Sequence, residues 1–183
     1  MYSRKKWIIY IVLIFVVIIL FIPLIYQRVN SIDKISTLLP RAEKIIIYNN
    51  KNITIDEKNK NFHEILRLTS ERLKPTQESK KIINSPNEDS LLKEVSNSKY
   101  AWRCIEFIYD KPTSFKFHLN TYEEKEIKFK KVFFLVSAET PQDFGTNMIY
   151  GEEEYTSEIK NINTDSKIMT RLLKIIEQEV PYR

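Results

Sequence analysis

The sequence predicts an α+β protein in which an N-terminal transmembrane helix precedes one domain with an antiparallel sheet covered by helices. Three observations lead to this fold class. Residues 7–26 form an uncharged apolar run. The strand-like segments cluster along the chain instead of alternating with helical ones, and helical patterns lie at 61–74 and 165–179. Segregated strands and helices are typical of an antiparallel sheet with helices covering one face, which is the arrangement we expect.

The apolar run at 7–26 reads WIIYIVLIFVVIILFIPLIY. A helix of this length, at about 1.5 Å per residue, spans the ~30 Å hydrocarbon core of a bilayer. A buried core helix would show a polar stripe, which this segment lacks. A secretory signal has a shorter apolar core and ends at small residues. Val29 and Ser31 offer only a poor cleavage site, so secretion after cleavage is the alternative to a membrane anchor.

The basic residues around this run predict its orientation. Arg4, Lys5 and Lys6 precede it, whereas Arg28 and Lys34 after it are partly offset by an aspartate. The positive-inside rule therefore places the N-terminus in the cytoplasm. We expect a single-pass protein of the cell membrane with a cytoplasmic tip at 1–6, a transmembrane helix at 7–26, a juxtamembrane connector at 27–42 and an extracytoplasmic α+β domain at 43–183.

Charge and cysteine content narrow the function classes. After residue 26 there are 26 basic and 24 acidic residues, a net charge of +2. A nearly neutral domain has no global field to attract nucleic acid. Cys104 is the one cysteine, so the fold has no internal disulfide. A lone cysteine in an apolar strand is typical of a small buried hydrophobe, and no histidine stands near it in a nucleophile pattern.

The first part of the domain predicts a hairpin and a helix. Two β-branched runs, 45–48 and 53–55, flank an asparagine-rich turn. The helix at 61–74 has Asn61 as N-cap, with Glu64 completing a capping box. His63 and Glu64 begin like a zinc-binding HExxH motif, but Arg67 replaces the second histidine. We therefore reject a zinc site and expect His63 to face solvent.

The polar segment at 76–98 predicts a surface excursion with a short helix at 87–95. A binding loop is the alternative interpretation of this segment. Three strands should follow as an antiparallel meander. They are an apolar central strand at 100–109, a half-buried strand at 115–120 after a turn at 110–114, and a strand at 127–136.

The last part of the sequence predicts a short edge strand at 148–150 and a closing helix at 165–179. Apolar residues recur along one side of that helix, and Thr164 or Asp165 is its expected N-cap. The predicted order is thus hairpin, helix, meander, helix.

No catalytic, cofactor-binding or metal-binding residues are predicted. With two glycines, the chain has no glycine-rich phosphate loop or dinucleotide fingerprint. Its serines lack a Gly-x-Ser-x-Gly setting. His63 and His118 are far apart in sequence, and no Cys/His spacing fits zinc. No small-molecule cofactor is evident.

Two charge features have competing interpretations. Lys125, Lys128, Lys130 and Lys131 could form a basic sheet face for anionic lipid or a wall polymer, but the solvated side of an amphipathic strand explains them better. Residues 152–154 are three glutamates. Consecutive side chains point in different directions, so a polar turn is favoured over a divalent cation site.

We therefore expect a membrane-anchored protein with an extracytoplasmic binding domain for another protein or an envelope component. One alternative is a subunit of an envelope membrane complex. A less favoured alternative is an anchored enzyme acting on cell wall or lipid, which would require a deep cleft holding His118 beside a carboxylate.

Overall fold

A computed structural model describes residues 38–74, 80–84, 88–119, 123–138 and 144–181. These residues form a seven-stranded antiparallel sheet with three helices, which is the predicted α+β class. The tip at 1–6, the predicted transmembrane helix at 7–26 and most of the connector at 27–42 lie outside them. Within the described ranges, no helix has both the length and the apolar character needed to span a bilayer.

The sheet has the strand order β2-β1-β4-β5-β6-β7-β3. The strands are β1 Lys44–Asn49, β2 Lys51–Ile55, β3 Lys81–Asn84, β4 Arg103–His118, β5 Glu124–Ser137, β6 Met148–Gly151 and β7 Ser157–Lys160. The helices are α1 Phe62–Glu71, α2 Glu88–Ala101 and α3 Ser166–Glu179. All strand pairs in the sheet are antiparallel.

The predicted hairpin and closing helix are confirmed. β1 and β2 pair around Asn50, which has a φ of 59°, a backbone conformation that asparagine tolerates better than most residues. Asp165 is the N-cap of α3, and its carboxylate accepts hydrogen bonds from the Lys167 and Ile168 amides at 2.9 and 3.2 Å. Local sequence signals were sufficient for both elements.

The predicted capping box of α1 is wrong. Asn61 occupies the N-cap position, but its side chain makes no capping hydrogen bond. The side-chain nitrogen Nδ2 of Asn61 instead donates to Glu179 Oε1 at 2.6 Å. Glu64 accepts from Arg67 rather than from the N-cap amide. Tertiary partners have therefore displaced the local motif.

The prediction of a turn at 110–114 is also wrong. Instead of a meander of three strands, β4 and β5 form a hairpin of two long strands. β4 continues through this segment, with a register shift between Ile108 and Thr113. A bulge accommodates Pro112, which has no amide proton for the ladder.

Within the polar segment at 76–98, the described residues 81–84 and 88–98 belong to a strand and a helix. Residues 81–84 form β3, which pairs with β7 at the edge of the sheet. α2 is longer than the expected helix and buries Leu91 and Val95. These two residues are four positions apart and therefore lie on the same side of the helix. The polar residues around them gave no sign that this side is buried.

The predicted edge strand at 148–150 is β6, but it lies between β5 and the unpredicted strand β7. Gly151 is the last residue of β6 and Gly145 lies three residues before the strand, and each permits a close approach. A Cβ atom at Gly151 would overlap the carbonyl oxygen of Glu154, and one at Gly145 would overlap Leu135. Each glycine therefore allows a neighbouring part of the chain to approach more closely than a Cβ atom would permit.

Helices cover both faces of the sheet, whereas the order of elements suggested that they cover one. The first face is the side on which α1 and α3 pack, and it holds the larger core, including Ile45, Phe107 and Phe134. The second face is the side covered by α2. Its smaller core contains Leu91, Val95, Cys104, Phe133, Ile149 and Tyr155. Only one covered face was expected because the packing of α2 on the sheet was not predicted.

A buried arginine connects α1 to the rest of the first face. Arg72 follows α1 directly and has no solvent exposure. Its guanidinium donates to the carbonyl oxygens of Asn163 at 3.3 Å, Leu135 at 3.2 Å and Gly145. It also lies 5.6 Å from the Phe134 ring centroid. No carboxylate among the described residues forms an ion pair with it.

Candidate functional site

The residues singled out from the sequence do not form a catalytic centre in the part of the chain that the structure describes. Cys104 is buried, as predicted, and its thiol donates to the Ser98 carbonyl at 3.3 Å. Burial raises the pKa of this thiol, which makes it a poor nucleophile. His63 is exposed, and His118 is exposed at the end of β4, opposite Glu124 in register.

Metal binding finds no support either. No group of three histidine, cysteine, aspartate or glutamate side chains within the described ranges could hold a metal ion. The glutamates at 152–154 are exposed in the turn after β6, where two of them form ion pairs with lysines.

The structure brings the two charge features of the sequence together. Lys130 Nζ lies 3.5 Å from Glu153 Oε1, and Lys131 Nζ lies 3.8 Å from Glu154 Oε2. Lys131 also donates to the Glu153 carbonyl. Two of the four lysines are therefore offset by the glutamate run, a pairing between segments that sequence spacing did not reveal.

An open groove runs along α1 and α3 on the outer side of the first-face helices. Its volume is about 580 Å³. We call it the α1–α3 groove. It is lined by Asn61, Glu64, Ser166, Lys167, Thr170, Arg171, Lys174, Ile175 and Gln178.

The amphipathic pattern of α3 explains the chemistry of this groove. Leu172 and Ile176 are buried on the side of α3 that packs on the sheet. Lys167, Arg171 and Lys174 recur at i, i+4 and i+7, which places them along one exposed side of the helix. The spacing of helical turns thus produces a row of three cations.

One acidic side chain organises part of the groove. Glu64 accepts two hydrogen bonds from Arg67 at 2.8 and 2.9 Å, and it pairs with Arg171 at 2.6 Å. The hydrogen bonds from Arg67 lower the pKa of Glu64, so it is ionised at neutral pH. Neither Lys167 nor Lys174 has an ion-pair partner among the described residues. The groove therefore presents two ammonium groups that pair with no carboxylate in the described part of the chain, beside hydroxyl and amide groups.

The second face holds a different constellation, the Glu106 cluster, made of Tyr48, Lys99, Glu106 and Tyr155. Glu106 points from the centre of β4 and is 4% exposed. Its Oε2 accepts from Tyr48 Oη and from Lys99 Nζ, both at 2.7 Å. Its Oε1 accepts from Tyr155 Oη. One carboxylate thus receives three donors from β1, α2 and the segment before β7.

Electrostatics keep Glu106 ionised and both phenols protonated. Burial acts to raise the pKa of Glu106, but the hydrogen bonds from Lys99, Tyr155 and Tyr48 outweigh it and the pKa lies below its ordinary value. Burial and the adjacent carboxylate raise the pKa of Tyr48 and of Tyr155. The cluster is thus a stable donor–acceptor set.

Sequence reasoning missed both the groove and the Glu106 cluster. One signal was available for the cluster, because Glu106 is a charged residue within the apolar run at 100–109, and a buried charge requires partners. No comparable signal marked the groove, since it depends on how α1 and α3 are placed side by side.

Comparison with protein families, with curated proteins and with solved structures gives no match for this chain.

Proposed function

We propose that this protein is a single-pass membrane protein whose domain binds an acidic segment of a partner protein in the α1–α3 groove, outside the cytoplasm. The observation that carries the proposal is an open groove with two ammonium groups that have no partner among the described residues. Unpaired cations on one rigid surface are complementary to carboxylates on another.

The groove lining favours a protein segment as its occupant. Ile175 supplies an apolar contact, while Asn61 and Gln178 supply amide groups. A peptide presents apolar, amide and acidic groups in turn, whereas a uniform polyanion would place negative charge against Glu64 as well. The presence of Glu64 therefore favours the peptide.

The apolar run at 7–26 supports the membrane anchor, and the basic residues before it support a cytoplasmic N-terminus. Anchoring also gives the groove a physical advantage. Two partners held in one membrane meet at a high effective concentration, so a contact of modest affinity becomes largely occupied.

A single labelling experiment on the full chain tests these statements. Thr170→Cys places a thiol in the groove, and the native Cys104 is buried and stays unlabelled. We expect a membrane-impermeant maleimide to label this variant on intact cells, with the label in the membrane fraction. We expect labelling to be slow in native membranes and several-fold faster after a high-salt wash releases the partner.

Lys93→Cys, at an exposed position on α2, is the matched control and should react at one rate before and after the wash. Equal rates for Thr170→Cys would overturn binding in the groove. Labelled protein in the medium would show that the protein is secreted and not anchored. Labelling only after lysis would show that the domain faces the cytoplasm.

A further inference from the structure

The environment of Lys99 has the composition of an ammonium-binding site. Its Nζ lies 5.1 Å from the ring centroid of Tyr48, 5.9 Å from that of Phe133 and 5.8 Å from that of Tyr155. Glu106 Oε2 is 2.7 Å away. Aromatic faces within about 6 Å of a cation attract it through the ring quadrupole, and cages of this kind recognise ammonium ligands.

The walls of this cage also contact one another. Phe133 and Tyr155 are 1% and 2% exposed, and their rings pack edge to face with centroids 6.4 Å apart. The hydroxyls of Tyr48 and Tyr155 are bound to Glu106, which fixes both rings. The rings and the carboxylate all belong to the sheet or its turns, so the cage is part of the rigid scaffold.

Lys99 is the only component that comes from a helix. It lies in the last turn of α2, and the following residue, Tyr100, is 88% exposed. The side chain of Lys99 is itself 25% exposed, so the cage has an opening to solvent at the end of α2.

We propose that Tyr48, Phe133, Tyr155 and Glu106 form a binding site for alkylammonium groups, which Lys99 fills in this structure. An external ligand has to displace a lysine that is tethered beside the site and therefore present at a high effective concentration. The end of α2 acts as a built-in competitor, and the site becomes available to an amine-bearing ligand when Lys99 leaves it.

The carboxylate sets the selectivity of the cage. Glu106 Oε2 lies at hydrogen-bond distance from the ammonium, so the ligand must keep at least one N–H group. Charge-assisted hydrogen bonds are about twice as strong as neutral ones. The cage therefore selects primary and partly methylated amines over tetramethylammonium, which has positive charge but no donor.

The test removes the built-in ligand and supplies an external one. Lys99→Ala in the full chain should unfold at a lower temperature than the wild type. Methylammonium chloride should restore much of the lost unfolding temperature in a saturable manner. An apparent Kd on the order of 10 mM is expected, given the upper limit of affinity for a ligand of two heavy atoms.

Three controls separate a specific site from a salt effect. Tetramethylammonium and sodium chloride at equal ionic strength should restore less. Lys99→Met fills the cage with an uncharged side chain and should not respond to methylammonium. Lys93→Ala, at an exposed position of the same helix, should melt like the wild type in every salt.

The proposal is overturned if methylammonium acts on Lys99→Ala no better than sodium, or if Lys99→Met responds equally. If Lys99→Ala is unfolded in sodium chloride alone, the same titration measures recovery of the folded state. Recovery in methylammonium but not in sodium supports the cage, and recovery in neither rejects it.

Discussion

Arg72 on the first face of the sheet and Glu106 on the second are both buried charged side chains, and the protein stabilises them by opposite means. On the first face, the Arg72 cation is surrounded by carbonyl oxygens of Leu135, Gly145 and Asn163. On the second face, the Glu106 anion is surrounded by side-chain donors of Tyr48, Lys99 and Tyr155.

This difference separates a geometric role from an electrostatic one. Of the three carbonyls around Arg72, those of Gly145 and Asn163 belong to loops and that of Leu135 belongs to β5. The guanidinium therefore holds the loop before β6 and the loop before α3 against β5. Burial lowers the pKa of Arg72 to about 9, which leaves it charged at neutral pH. Glu106 instead organises side chains, and one of its donors, Lys99, can turn toward solvent because it is partly exposed.

Arg72→Ala should have the largest effect. The substitution leaves a cavity and removes the donors of three carbonyl groups, so we expect a loss of about 3–5 kcal/mol in the free energy of unfolding. Urea denaturation of the variant measures this loss. Arg171→Ala, at a side chain that is 62% exposed, is the control and should cost less than about 1 kcal/mol. Equal losses for the two variants would show that the buried cation is dispensable.

Glu106→Gln should cost less, about 2–3 kcal/mol, because the amide keeps the shape of the carboxylate but leaves Lys99 without its counter-charge. The expected loss is smaller than for Arg72 since Lys99 can be rehydrated. Glu126→Gln, at an exposed glutamate that accepts from Ser114 Oγ at 2.6 Å, is the matched control. A Glu106→Gln protein as stable as this control would contradict the electrostatic role.

The smallest expected effect is a difference in how the free energy of unfolding depends on acid pH for variants of the two faces. The pKa of Glu106 in the folded state lies below its ordinary value of 4.5, so the unfolded chain takes up the proton first as the pH falls. The stabilisation by Glu106 is therefore complete above about pH 4.5 and is lost below it. Urea midpoints between pH 6 and pH 3 should fall less steeply for Glu106→Gln than for the wild type. Arg72→Ala should keep the wild-type dependence of the urea midpoint on pH, since Arg72 stays protonated throughout this range. A weaker dependence in that variant would contradict the distinction between the geometric role of Arg72 and the electrostatic role of Glu106.

The sequence was informative where a structural signal is local. The turn at Asn50 and the Asp165 cap of α3 depend on a few consecutive residues, and both were predicted. A short helix was predicted at 87–95, but the full length of α2 and its packing on the sheet were missed, because Leu91 and Val95 are its only deeply buried apolar side chains. Their burial depends on contact with the second face of the sheet, which the local sequence of α2 does not reveal.

The candidate sites were harder to predict for the same reason. The partners of Glu106 are Lys99, Tyr155 and Tyr48, which lie 7, 49 and 58 residues away along the chain. Periodicity identifies the buried side of an element but does not specify which element will face it. The α1–α3 groove likewise arises from the packing of two helices about 100 residues apart in the sequence.

The hydrogen bond from Asn49 Nδ2 to the Val180 carbonyl joins the end of the first strand to the residue after the last helix, 131 residues apart, at 2.6 Å. Asn59 and Asn61 add bonds from the same region to Glu179. During synthesis at about 5–20 residues per second, the first hairpin waits on the order of ten seconds for these partners. Closing so long a loop is also entropically costly. The first hairpin therefore gains these hydrogen bonds only after the chain has been made as far as Val180.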